Sequence, residues 1–199
     1  MENSLENQIQ PNPKKYTHYL GIDESNHGGN PEVIAAVLSK DPASIIEKDF
    51  GKCRRGRNIL TEDKNINYRF LLYKRNFFRT FNDQAERAIA FSHLIASFNL
   101  EKLDSLIVLL DGVYQSSIKK RMATTLFDVY KLSIPLNNIR YTKDADRKYK
   151  IVNNADEIAY RLYSAYQEDG EESLEKQQNH LITPKCRLTT NLIEKILEA

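Results

Sequence analysis

The tightest constraint on this chain is that two apolar runs of strand length each end on a carboxylate. YLGIDE closes on Asp23 and Glu24, and SLIVLLDG closes on Asp111. A continuous apolar run of about four to eight residues is the pattern of a strand covered on both faces, as in parallel sheets flanked by helices. In such sheets functional groups gather at the carboxyl ends of the strands.

The neighbouring segments supply the rest of such a sheet. Residues 16–25 and 32–39 read as two strands joined by the turn-forming NHGGNP, a hairpin. Asp41-Pro42 opens a short helix through Asp49, the basic loop GKCRRGRN follows, and YRFLLY (68–73) is a third strand. Asn82 or Asp83 caps a helix whose apolar face includes Ala85, Ile89, Phe91, His93, Leu94 and Phe98 and which ends before Leu103. After the strand 105–110 come a helix from Ser116 or Ser117 through Lys131, a short strand NIRYT (138–142) and a helix over 152–166. A hairpin followed by alternating strands and helices implies an α/β domain, a mixed central sheet of about five strands flanked by helices. Residues 1–15 read as a flexible lead-in and 16–166 as the domain. Residues 167–199 read as an acidic linker, broken at Pro184, with a terminal helix that packs on or extends the domain.

Composition narrows the classes of function. At 199 residues the chain is one domain with tails. No window approaches the roughly 20 consecutive apolar residues of a membrane span, and the N-terminus has no apolar signal core, so a cytoplasmic protein is expected. Cys53 and Cys186 have no partner at zinc-ligand spacing and read as free thiols. The net charge of +2 conceals an asymmetry: residues 167–199 carry seven acidic and four basic side chains, which leaves the preceding body basic. No phosphate-binding loop, GxGxxG, GxSxG or HExxH occurs, so dehydrogenase, kinase and serine-hydrolase readings have no local support.

Carboxylates brought together at strand ends repel one another unless a cation neutralises them. Oxygen-only ligands suit Mg²⁺ or Mn²⁺, and a pair of such ions can activate water and stabilise the leaving oxygen in phosphodiester cleavage.

The order of elements and these residues resemble the ribonuclease H-like fold, and ribonuclease HII most closely. The match lies in Gly-Ile-Asp-Glu at Gly21 to Glu24, in the strand SLIVLLDG, and in KDADRKYKIVNNADEIA with its Ala-Asp and Lys148-Tyr149. The resemblance implies a metal-dependent nuclease acting on RNA, RNA–DNA hybrid or DNA. It implies metal ligands at Asp23, Glu24 and Asp111, a fourth at Asp156, and a phosphate contact for Lys148. The family's Ala-Gly-Arg-Gly loop, which helps sense the ribose 2′-hydroxyl, is here Ser25-Asn26-His27-Gly28. A divergent relative is therefore the expectation.

Several alternatives stay open in the residues themselves. Strand alternation puts Asp23 and Glu24 on opposite faces unless a twist or bulge intervenes. Asp156 and Glu157 are about 100° apart on their helix, so one of them faces the site, and Glu86 is a reserve ligand. Asn26, His27 and Gly28, together with Arg54, Arg55 and Arg57, are the candidate nucleic-acid contacts, supplemented by Lys74, Arg75 and Arg79. Phe77 and Phe78 serve either base stacking or the core. The alternative function is a non-catalytic module that keeps the fold and binds nucleic acid or a protein partner.

Overall fold

A computed structural model of the chain describes residues 16–25, 30–50, 66–74, 78, 80, 82–183 and 188–199. Five strands form one sheet: β1 (His18–Ser25), β2 (Glu32–Ser39), β3 (Asn67–Tyr73), β4 (Leu106–Asp111) and β5 (Ile139–Thr142), in the order β3-β2-β1-β4-β5. The first three pair antiparallel, whereas β4 lies parallel to β1 and β5 parallel to β4. The mixed α/β architecture read from the sequence is the one observed.

The helices are α1 (Asp83–Ala96), α2 (Ser117–Tyr130), α3 (Ala145–Lys148), α4 (Lys150–Asp169) and α5 (Thr190–Glu198). Alternation along β1 and β4 divides the core into two layers. Leu20, Ile22, Val108 and Leu110 face α1 and α2, while Tyr19, Ile107 and Leu109 face α4. Helix α1 begins where the Asn82 side chain accepts the Ala85 amide at 3.0 Å, a normal N-terminal cap. Its Ala85 through Ala96 are all buried, as expected for a helix between a sheet and another helix. Helix α4 covers the other face with Ile151, Val152, Ala155, Ile158, Ala159 and Leu162, an apolar stripe at helical spacing.

Three segments differ from the sequence reading. Asp41-Pro42 opens only a 3-10 turn, Pro42–Ile45. Ala145–Lys148 forms a one-turn helix ahead of α4. Beyond α4 the acidic stretch folds as a 3-10 helix, Gly170–Gln177, with Leu174 buried. The chain then crosses the β3 edge: the Phe70 amide donates to the His180 carbonyl at 2.9 Å and the Ile182 amide to the Phe70 carbonyl at 2.7 Å. This backbone pairing covers an edge that would otherwise present open hydrogen-bonding groups. Helix α5 buries Ile196 against the α1–α2 layer. No helix among the described residues is long and apolar enough to cross a membrane.

Candidate metal site at the strand ends

The parallel pairing of β1 and β4 fixes the site. Ile22 pairs with Leu110, so Asp23 and Asp111 stand one residue further on, side by side on neighbouring strands, where strand spacing is about 4.8 Å. Ile22 and Leu110 both face the α1–α2 layer, and alternation therefore turns both aspartates toward α4.

Helix α4 approaches that face closely because residue 21 is glycine. A Cβ there would meet the Ile151 carbonyl carbon and oxygen at 2.6 Å and the Val152 nitrogen at 2.8 Å. The first turn of α4 thus lies against β1, two residues before Asp23. Asp156 follows one turn further along the helix.

Asp111 is held by the segment after β5. Its Oδ1 accepts the Ala145 amide at 2.5 Å, and the Asp146 amide bonds to the same carboxylate. Beyond Asp111, Gly112 adopts φ +116° and the Tyr114 ring folds back to 3.2 Å from where a Cβ would stand. The Tyr114 hydroxyl donates to the Asp111 carbonyl at 2.8 Å. Asp23 in turn accepts the Glu24 amide on Oδ1 at 2.7 Å.

These acids lie in one another's field. Burial, then Asp111 and Asp156, push the Asp23 carboxyl well above its usual range, with a smaller upward push from Asp146. Asp156 is raised to about 6 by burial, Asp146, Asp111 and Glu157. Asp111 is raised mainly by burial, against the lowering effect of the Ala145 amide. Clustered carboxylates whose proton affinity is raised by burial and by one another mark a candidate functional site, and a cation among them would offset the repulsion. Among the described residues, no three acid, histidine or cysteine side chains already surround one point as metal ligands. The donors fit a hard divalent cation in chemistry and location, with the Asp111 oxygen turned onto backbone amides.

Glu24 is not brought to this side. The β1–β2 ladder runs unbroken from Tyr19 to Ser25, so no bulge turns the residue. Its carboxylate meets Arg87 of α1 on the opposite face, a contact in which both side chains are buried. Arg87 also grips both oxygens of Glu32 at 2.9 and 3.0 Å and reaches Asp83 at 3.2 Å. Glu86 is not a solvated surface residue: it is buried, accepting from the Tyr73 hydroxyl at 3.0 Å and the Thr80 amide at 3.3 Å. Glu157 is buried next to the half-buried Asp156.

Asp146 is the acid the sequence reading missed. The signal was present as the Ala-Asp two residues before Lys148-Tyr149, but a one-turn helix leaves no periodicity to mark it. Lys148 ends the same turn, half-buried. Asn26, His27, Gly28, Arg54, Arg55, Arg57, Arg75, Phe77 and Arg79 lie outside the described residues. Phe78 is buried against the ring of His93, a core position.

No family model matches the sequence, and no curated protein matches it either. Solved structures do. A ribonuclease HII from Archaeoglobus fulgidus, solved in complex with PCNA, superposes with a TM-score of 0.50 over 90% of this chain and 86% of its own, at 19% identity. The ribonuclease H2 of Pyrococcus horikoshii OT3 gives a TM-score of 0.50 over 91% and 97%, at 20% identity. This chain has the ribonuclease H-like fold. A mutant form of Bst-RNase HIII shares that ribonuclease H-like core with a TM-score of 0.54 at 15% identity, over 94% of this chain and 64% of its own. Another structure of Bst-RNase HIII is a Mn²⁺ complex.

Proposed function

We propose that the chain is a divalent-metal-dependent nuclease of ribonuclease H-like type, hydrolysing phosphodiester bonds in RNA, RNA–DNA hybrid or DNA. The observation that carries this reading is the pairing of β1 with β4. It sets Asp23 beside Asp111 on one face, with Asp156 and Asp146 close enough to raise the proton affinity of Asp23. Asp23, Asp111, Asp146 and Asp156 would hold Mg²⁺ or Mn²⁺. Bound there, a pair of ions would lower the pKa of water and offset charge on the leaving oxygen.

The chain's own groups prepare that site. The Glu24 amide fixes one oxygen of Asp23, and the amides of Ala145 and Asp146 orient Asp111, whose carboxylate would be a ligand to a bound cation. Asp156, raised to about 6, loses its proton near neutrality and so completes the acidic set where such enzymes would work. Lys148 stands two residues from Asp146, suited to a phosphate oxygen. The Lys48 amide donates to the Lys148 carbonyl and the Phe50 amide to the Arg147 carbonyl, both at 2.9 Å. Residues 48 to 50 therefore lie beside α3, and a role for Arg54, Arg55 and Arg57 on the nucleic-acid backbone belongs to the same reading. The 16–166 domain would carry the site, with 167–199 extending it. A cytoplasmic location belongs to the same reading.

A second reading, a non-catalytic module binding nucleic acid or a protein partner, is favoured by one fact: Asp111 is already satisfied by backbone amides. Cleavage of labelled RNA, DNA and hybrid in Mg²⁺ or Mn²⁺ separates the two. The nuclease reading expects metal-dependent cleavage of at least one substrate, abolished in Asp23→Asn. Salt-sensitive binding with no cleavage under any metal would overturn it in favour of the module.

A further inference from the structure

The buried cluster around Arg87 bears on how the acidic site is held, and the inference from it rests on the nuclease reading above. Arg87 lies on α1, behind the sheet as seen from Asp23. Its guanidinium contacts Glu24 at the end of β1, both oxygens of Glu32 at the start of β2, and Asp83 one turn back on α1. It also lies over the Tyr73 ring, with the guanidinium carbon 5.6 Å from the ring centre. The Arg87, Glu24 and Glu32 side chains are all buried, so the cluster is a fixed feature of the core. A guanidinium offers five donors in a rigid fork, which suits simultaneous capture of several carboxylates.

We infer that Arg87 is a positioning residue for the acidic site and that Glu24 is its intermediary, not a metal ligand. The linkage is continuous. Arg87 holds the Glu24 side chain on the α1 face, the unbroken ladder with β2 keeps residue 24 in regular strand geometry, and the Glu24 amide donates to Asp23 Oδ1 at 2.7 Å. The clamp fixes the end of β1, and with it the direction of the Asp23 carboxylate toward α4. It also supplies Glu24 with the positive charge that a metal would otherwise offer. The site is left to the four aspartates of the other face.

Mn²⁺ titration of the full chain, followed calorimetrically, tests this with wild type and the variants Asp23→Asn, Glu24→Gln, Arg87→Met and Arg87→Lys. Glu24→Gln is expected to weaken Mn²⁺ binding far less than Asp23→Asn does, since an amide oxygen still accepts from Arg87. Asp23→Asn is expected to lose binding. Arg87→Met is expected to bind about tenfold more weakly, the usual cost of removing a group that orients a ligand. Arg87→Lys should recover part of that loss, a readout that general destabilisation would not move. Should Arg87→Met fail to fold, the lysine variant and Glu24→Gln still carry the test. Loss of Mn²⁺ binding in Glu24→Gln comparable to Asp23→Asn would overturn the inference alone, because Glu24 would then be a ligand. Full Mn²⁺ affinity in a folded Arg87→Met would overturn the positioning role. No Mn²⁺ binding by wild type would overturn the nuclease reading and this inference with it.

Discussion

Asp23 and Glu24 are chain neighbours, both buried, at 8% and 9% exposure, yet they occupy opposite electrostatic settings. Glu24 shares an arginine with Glu32 and Asp83 on the α1 face. On the α4 face Asp23 meets Asp111, Asp156 and Asp146, all of its own sign. A charge buried with its counterion contributes to a fixed core, whereas like charges crowded together cost stability until something neutralises them. The difference separates a cluster neutralised within the fold from one whose repulsion a bound cation would relieve.

The sharpest break in that comparison is to remove the counterion. Arg87→Met leaves Glu24 and Glu32 buried without it and should cost about 3–5 kcal/mol, measured by urea denaturation. An unchanged midpoint would mean that the α1 face is not held by charge. Next is Gly21→Ala, which drives a Cβ to 2.6 Å from the Ile151 backbone. Overpacking of this kind costs about 1–3 kcal/mol, and because the neighbour is backbone, α4 must move, carrying Asp156 from Asp23. Metal-dependent activity should fall further than stability alone explains.

The acidic face has its own pH signature. Asp156 is raised from 3.8 to about 6 in the fold, so its protonated form is the favoured one. The stability this contributes is fully present below the unfolded value and is lost as pH rises through about 6. In EDTA, Asp156→Asn should match wild type near pH ~4 and exceed it near pH ~8, by on the order of 1–2 kcal/mol after allowance for solvent screening. Melting curves across that range check it; a variant less stable than wild type at the alkaline end would contradict a repulsive cluster. The smallest effect belongs to Tyr114, which lies between the two regions. Burial and then the Glu24 carboxylate push its hydroxyl upward, and that hydroxyl bonds the Asp111 carbonyl. Tyr114→Phe should cost about 1 kcal/mol, read by thermal denaturation.

The sheet was legible because its central strands are unbroken apolar runs, and Asp23 and Asp111 were legible because each terminates one. What escaped depends on long-range contact. Arg87 is 63 residues from Glu24, and nothing local marks it as a counterion instead of a surface cation. Glu86 has the chemistry of a ligand, but its partners Tyr73 and Thr80 come from strand β3 and a loop. Asp146 sits in a helix too short for periodicity, and the pairing of residues 180–182 with β3 joins segments more than 100 residues apart.

A cation site made of aspartates on the α4 face of the strand ends is tested by the melting temperature of wild type and Asp146→Asn at a mildly alkaline pH, in EDTA and in Mn²⁺. Mn²⁺ should raise the wild-type value by several degrees, about 1–3 kcal/mol of linkage at saturating metal, and leave the variant unmoved. Equal shifts in both proteins, or no shift in wild type, would contradict it.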